Sequence, residues 1–147
     1  MGVVKEMNRV QALAFLQQGT RTGKLATVRP DGRPHVVPIW FVVDSDEIVF
    51  NTWHTSVKAR NLAVDSRASL VVDLEQPPYA FVMVDGVVTI SDDLDVVVDV
   101  ATQIGRRYMG EERAEEFGRR NGVEGELVVR MHIDRIVSRD DVAGYGE

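Results

Sequence analysis

Six runs rich in β-branched and aromatic residues, each bounded by turn residues, constrain this chain most. They span 24–29, 35–43, 47–52, 68–75, 79–90 and 125–139. Each has strand length, and the last alternates Leu127, Val129, Met131 and Ile133 against Val128, Arg130, His132 and Asp134. That period of two predicts a strand with one buried face. Pro30-Asp31-Gly32 joins the first two runs with the turn chemistry of a hairpin. Asp44-Ser45-Asp46 makes the next turn, and the fifth run is long enough to bend at Asp85-Gly86. Six strands and few helices predict a mainly β fold with a largely antiparallel sheet. In a chain of 147 residues it forms one domain, 1–147, and removes its edges by closing into a small barrel.

Helical spacing occurs in fewer places. Val4, Met7, Val10, Leu13, Ala14 and Leu16 predict a helix over 4–18, stopped by Gly19. A short helix is expected at 56–64. Asp92 and Asp93 suit the start of a helix over 92–109 that ends at Gly110, and 111–120 continues as a second short helix.

Composition excludes several classes of function. The chain carries 17 basic and 23 acidic residues, net −6, which repels phosphate backbones and argues against nucleic acid as a partner. Cysteine is absent, so there is no disulfide framework and no thiolate chemistry. No apolar run approaches the roughly 20 residues of a membrane span, and the N-terminal stretch lacks the core of a signal peptide. A cytoplasmic protein without membrane attachment is expected. His35, His54 and His132 fall on separate elements without the close spacing of metal ligands, so no metal site is expected. No G-x-S-x-G elbow, Walker A loop or G-x-G-x-x-G loop is present. The pairs Asp92-Asp93 and Glu111-Glu112 suit helix starts without catalysis.

Two features stand out. In "NTWHTSVKARNL" (51–62), Thr52, Thr55 and Ser56 precede Lys58 and Arg60. Ser56 suits an N-cap, which places both cations in the first turn. Cations are slightly unfavourable there, whereas free N–H groups favour anions. The pair is therefore misplaced for stability and well placed for a phosphate, or else is a plain solvated helix start. Residues two apart on a helix point about 200° apart, so Lys58 and Arg60 cannot both grip one small anion. Lys58 and Asn61 share a face. In "HVVPIWF" (35–41), Pro38 frees backbone from ladder pairing. Unpaired groups at Val37 and Ile39 are expected to address a planar heterocycle, walled by Trp40, Trp53 and Tyr79, unless these aromatics serve packing.

The combination of "GKLAT", "DGRPH", "SVKARNL", "DSRASLVVD", "DGVVTI" and "VRMHIDRIVSRD" resembles the split-barrel flavin/deazaflavin oxidoreductases, the superfamily of pyridoxamine-phosphate oxidase. Within it the chain is most similar to the small actinobacterial enzymes that use the deazaflavin coenzyme F420. The likeness runs over almost the whole chain. It implies a six-stranded antiparallel split β-barrel of the FMN-binding type, assembled as a homodimer with cofactor sites between subunits. It implies that the cofactor ring lies along Val36, Val37, Pro38, Ile39 and Trp40. The phosphate-bearing tail would meet Thr52, Ser56, Lys58, Arg60 and Asn61, and the partner chain would supply Tyr79, Ala80 and Phe81. The stretch Arg135 to Arg139 departs from the family's oxidases, which carry a Trp in that region.

The resemblance implies an F420-dependent reductase that transfers a hydride from reduced deazaflavin to an electrophilic small molecule. The cofactor carries that chemistry, and no catalytic residue is singled out. FMN is the alternative cofactor, on the same fold. A non-catalytic F420 or flavin carrier is the alternative outside enzymology.

Overall fold

The computed structural model describes residues 5–144. Seven strands form one antiparallel sheet, in the order β2-β1-β5-β6-β7-β4-β3. They are β1 (Gly23–Val28), β2 (Pro34–Ile39), β3 (Val42–Asp44), β4 (Glu47–Trp53), β5 (Arg67–Asp73), β6 (Phe81–Ser91) and β7 (Glu126–Arg139). The fold is mainly β, of the split-barrel class, with a few flanking helices: α1 (Arg9–Gln17), α2 (Val57–Val64), α3 (Leu94–Met109) and α4 (Ala114–Asn121). Among the described residues no helix is long and apolar enough to cross a membrane.

The expected six strands are seven because the run 35–43 breaks at Trp40-Phe41. The Phe41 amide donates to the Tyr108 hydroxyl, 3.3 Å away, instead of joining a ladder. The chain then crosses from one sheet edge to the other: β2 pairs only β1, and β3 pairs only β4. The helix expected over 4–18 begins at Arg9, because Asn8 caps it. The Asn8 side chain accepts from Gln11 N at 2.8 Å while the Gln11 side chain accepts from Asn8 N at 2.9 Å, a reciprocal box that satisfies two free amides. Val4 lies outside the described residues. Gly19 takes a φ of +61° just past the end, as a helix stop often does.

Two apolar clusters hold the fold. The larger packs Leu13 and Leu16 of α1 against Leu25, Phe41, Ile48, Phe50, Leu70, Val82 and Met131. Several of these are fully buried, each worth about 1.5–3 kcal/mol relative to exposure. The smaller lies under α3, whose Val97, Val100 and Ile104 recur at helical spacing and meet Val49 and Val128. The expectation of one buried face on β7 is therefore incomplete. Val129, Met131 and Ile133 face the main core, and Val128 on the opposite face is covered by α3.

Arg107 ties the layers together. Its guanidinium donates to the carbonyls of Leu16 (2.8 Å), Gly19 (3.1 Å) and Phe41 (2.6 Å). The neighbouring Tyr108 hydroxyl donates to the Arg21 carbonyl at 3.0 Å. Burial pushes the Arg107 guanidinium below its ordinary value; the carbonyls compensate its lost hydration.

Candidate functional site

The region is built from the end of β4, the start of α2 and the edge strand β2. Ser56 has extended backbone, and its Oγ accepts from Ala59 N at 3.2 Å, as an N-cap should. The Thr52 hydroxyl lies 2.8 Å from the same Oγ. Thr52 is buried, so its hydroxyl supports the cap. The amides of Val57 and Lys58, in the first turn, have no intrahelical acceptor.

Lys58 and Arg60 lie on different sides of α2: Lys58 is half-buried and Arg60 exposed. Burial pushes the Lys58 ammonium below the ordinary lysine value, and the nearby Glu126 carboxylate opposes that shift. Among the described residues, Lys58 makes no hydrogen bond or ion pair. Asn61, which the resemblance places at the cofactor tail, is engaged within the chain. It is 2% exposed, and its Nδ2 donates to Thr27 Oγ1 at 3.0 Å. It anchors α2 to β1 and thereby sets the position of Lys58.

Strand β2 lies at the open edge of the sheet. Pro34 and Pro38 have the same parity and lack a donor. The ladder to β1 survives because that parity turns its backbone groups outward. The Val36 amide and the carbonyls of Pro34, Val36 and Pro38 then address the open edge. The expectation that Val37 and Ile39 have the free groups is corrected: these residues pair with Leu25 and Gly23. Their side chains turn inward as well, with Ile39 in the core and Val37 packed against it. Val36 and Pro38 are exposed, Val36 by 68%.

The three aromatics expected to share a wall lie apart within the chain. Trp40 stacks on Tyr108, centroids 5.0 Å apart and nearly parallel, and lies 6.2 Å from Phe117. Trp53 lies across Gly125, where an added Cβ would fall 2.5 Å from the ring. Tyr79, at φ +63°, lines a groove with Phe81, Lys24 and Asp73. Ala80 is buried. Because Lys24 pairs with Pro38, this groove meets one end of β2. At the other end His35 pairs with Thr27, which carries Asn61 and α2. A ligand along β2 would thus run from α2 toward Tyr79, about 10 Å at the usual strand rise.

The sheet face bearing Val36 and Pro38 continues through Ala26 and Val28 on β1 to Val87 on β6. A groove of about 650 Å³ there is lined by Ala26, Val28, Pro34, Arg67, Ser69 and Val87, among others. Ser69 donates to Asp85 at 2.5 Å beside it. The sequence reading missed Glu126. A carboxylate at the start of a strand reads as solvated, and only the β4–β7 register, which sets Glu126 opposite Trp53, brings it beside Trp53 and His54 in one groove.

The family model for pyridoxamine 5'-phosphate oxidase matches residues 10–138. The chain belongs to that family. Among solved structures, this family member is similar to the conserved hypothetical protein Rv2991 from Mycobacterium tuberculosis, at 27% identity and a TM-score of 0.83, covering 100% of this chain and 92% of that one. It is also similar to an F420 reductase, at 25% identity and a TM-score of 0.67, covering 84% of this chain and 94% of the other. HutZ, the heme storage protein from Vibrio cholerae, shares the fold at 21% identity and a TM-score of 0.70, over 92% of this chain and 97% of its own. No curated protein matches the chain. The family fold thus carries an oxidoreductase in one relative and heme storage in another.

Proposed function

We propose that the protein is an F420-dependent reductase. The observation that carries this reading is the half-buried Lys58 ammonium at the α2 start, with no carboxylate in ion-pair contact among the described residues. Keeping a cation partly desolvated without a partner is unfavourable, and a phosphate would supply the missing charge. Arg60, on the other side of the helix, is placed for a second anionic group farther along a tail. That separation supports F420 over FMN, which has one phosphate. The similarity to an F420 reductase supports the same choice.

The residues fit such a cofactor. Lys58 and the first-turn amides of α2 would hold the phosphate, with Thr52 and Ser56 fixing the helix start. The Val36 amide and the Pro38 carbonyl would address the edge of a planar ring, and the Val36 and Pro38 side chains would keep water from its face. A deazaflavin supplies hydride chemistry when bound; the chain supplies position and exclusion of water. A second copy of the chain would cover the apolar face around Val36 and Val87 and complete the site. The reading makes this a cytoplasmic homodimer acting on a small electrophile.

The test is binding of F420 and of FMN to the purified protein, followed by fluorescence anisotropy. F420 is expected to bind at least tenfold more tightly, about 1.4 kcal/mol. Equal affinities, or a yellow protein purified with FMN, would give the cofactor role to FMN. Tight F420 binding without turnover on any acceptor would make the protein a carrier.

A further inference from the structure

Tyr79 holds a conformation that a turn alone does not require. Its φ is +63°, in the left-handed region where glycine sits freely and an aromatic residue does not. Three backbone bonds keep the loop in place. Tyr79 N donates to the Gln76 carbonyl at 2.8 Å, Leu74 N to the Ala80 carbonyl at 2.8 Å, and Ala143 N to the Pro78 carbonyl at 3.1 Å. Such outliers persist where the surroundings over-determine them, and they cluster at ligand sites. Here the strained residue presents an open ring. Tyr79 is 47% exposed. Among the described residues its ring stacks on no other ring, and its hydroxyl makes no hydrogen bond.

That ring walls a groove of about 740 Å³ with Lys24, Val71, Leu74, Phe81 and Val142. The groove shares a sheet face with the proposed cofactor strip. Lys24 lies opposite Pro38 on one side and opposite Val71 on the other. Directly opposite residues of an antiparallel pair point to the same face, with Cβ atoms about 5 Å apart. The floor of the groove therefore begins one strand from Pro38. Its aromatic and aliphatic walls suit a flat conjugated molecule. One polar group on the floor is loosely engaged. Lys24 Nζ lies 3.4 Å from Asp73 Oδ1 and 3.3 Å from the Thr22 carbonyl oxygen. Both exceed the roughly 2.7–2.9 Å of a charge-assisted bond. An ammonium has three donors, so one N–H remains for an acceptor oxygen. Asp73 and Glu75 line the same groove, which disfavours an anion there and favours a neutral carbonyl.

We propose that this groove is the acceptor pocket of the reductase: Tyr79 and Phe81 wall a neutral aromatic ketone with a conjugated carbon–carbon double bond, and Lys24 donates to its carbonyl oxygen. The inference rests on the cofactor reading above and names the substrate class of that site. In the reduction, the β-carbon of the double bond accepts a hydride from the reduced deazaflavin. The π-electron pair passes to the carbonyl oxygen as an enolate, and the α-carbon then takes a proton from water. The ketone is left saturated and the cofactor oxidised. Lys24 meets the charge that develops on the oxygen. Tyr79 acts through its ring face alone and sets which acceptors fit.

The experiment loads the full chain with F420 and uses two probe ketones, benzylideneacetone, which carries an aromatic ring, and cyclohexenone, which lacks one. Calorimetry with oxidised F420 bound reads ketone affinity without turnover, and steady-state rates with reduced F420 read kcat and KM. The wild type is expected to bind benzylideneacetone at least tenfold more tightly than cyclohexenone. Tyr79→Gly removes the ring and suits the backbone. It is expected to melt close to the wild type, to weaken benzylideneacetone binding at least fivefold, and to shift F420 affinity less than twofold. Tyr79→Phe is expected to restore the benzylideneacetone affinity. Lys24→Met is expected to lower kcat at least tenfold for both ketones. A loss of F420 affinity in Tyr79→Gly would make Tyr79 a cofactor wall, as the resemblance implies, and overturn the acceptor pocket. So would equal affinity for the two ketones, no binding or turnover of either, or unchanged benzylideneacetone affinity in Tyr79→Gly. An unchanged kcat in Lys24→Met would overturn the part given to Lys24. The two readings fail separately. If the wild type does not bind F420, or Lys58→Ala leaves its affinity intact, the cofactor site falls; if F420 binds through Lys58 and the ketone results fail, the acceptor pocket alone falls.

Discussion

Asn61 donates its side-chain amide to the Thr27 hydroxyl at 3.0 Å, with both residues almost fully buried. This one bond links α2 to the strand that carries β2, and it joins the two halves of the proposed site. Asn61→Ala leaves a buried hydroxyl without its partner, which costs about 1–3 kcal/mol. Urea denaturation should show that loss. A double-mutant cycle with Thr27→Val should show coupling, because removing both groups is milder than removing one.

Lys58→Met should raise the melting temperature without cofactor and weaken F420 binding by roughly 1.5–3 kcal/mol, the range for a hydrogen bond to a charged group. The stability sign follows from burial, which lowers the Lys58 ammonium below its unfolded value. The unfolded chain binds the proton more strongly, so the folded form is penalised while Lys58 is charged and relieved as pH rises through the folded titration. Arg60→Ala should weaken binding less. Calorimetry with and without F420 reads both effects, and a lower melting temperature in cofactor-free Lys58→Met would contradict the account.

Gly86→Ala should strongly destabilise the sheet. The added Cβ would fall 1.7 Å from the His132 carbonyl oxygen and 2.8 Å from its carbon. These are backbone atoms of the paired strand at the Asp85/Gly86 bulge, so they can yield only by distorting the ladder. A loss of about 3 kcal/mol, the upper part of the usual overpacking range, should appear as a lower denaturation midpoint. A neutral result would mean that the bulge can shift its register.

Arg107→Lys should fail to rescue Arg107→Ala. The guanidinium reaches carbonyls at Leu16, Gly19 and Phe41 through three separate nitrogens, a spread that one ammonium cannot cover. Both variants should lose about 3 kcal/mol, as expected when bonds from a charged donor to the carbonyls of buried Leu16 and Phe41 go unmade. Thermal melts of the two variants check this, and near-wild-type stability of the lysine form would disprove the spread.

Much of the sheet was legible in the sequence because its signals are local. Pro30-Asp31-Gly32 marks the β1–β2 hairpin, and the alternation of β7 marks its core face. The break at Trp40-Phe41 was not legible, since it depends on Tyr108, 67 residues away. The same distance effect governs the site. Ser56 as a cap and the separation of Lys58 from Arg60 follow from helix geometry alone. The Asn61–Thr27 bond and the approach of Glu126 need strand order, which no local pattern contains. Helical spacing put Lys58 and Asn61 on one face but could not say that Asn61 was already engaged.

The helices α3 and α4 leave the sheet after Ser91 and return at Glu126, yet Ser91 and Val128 are paired neighbours on adjacent strands. The whole excursion is a detour between two rungs of one ladder. Closing a connection of that length carries an entropic cost that grows slowly with its length, and contacts far apart in sequence form slowly. A folding nucleus that begins with the local β1–β2 hairpin would therefore wait for α3 to form before β6 and β7 zip together. Folding speed should then follow helix propensity on the exposed side of α3, at positions such as Asp95 and Asp99.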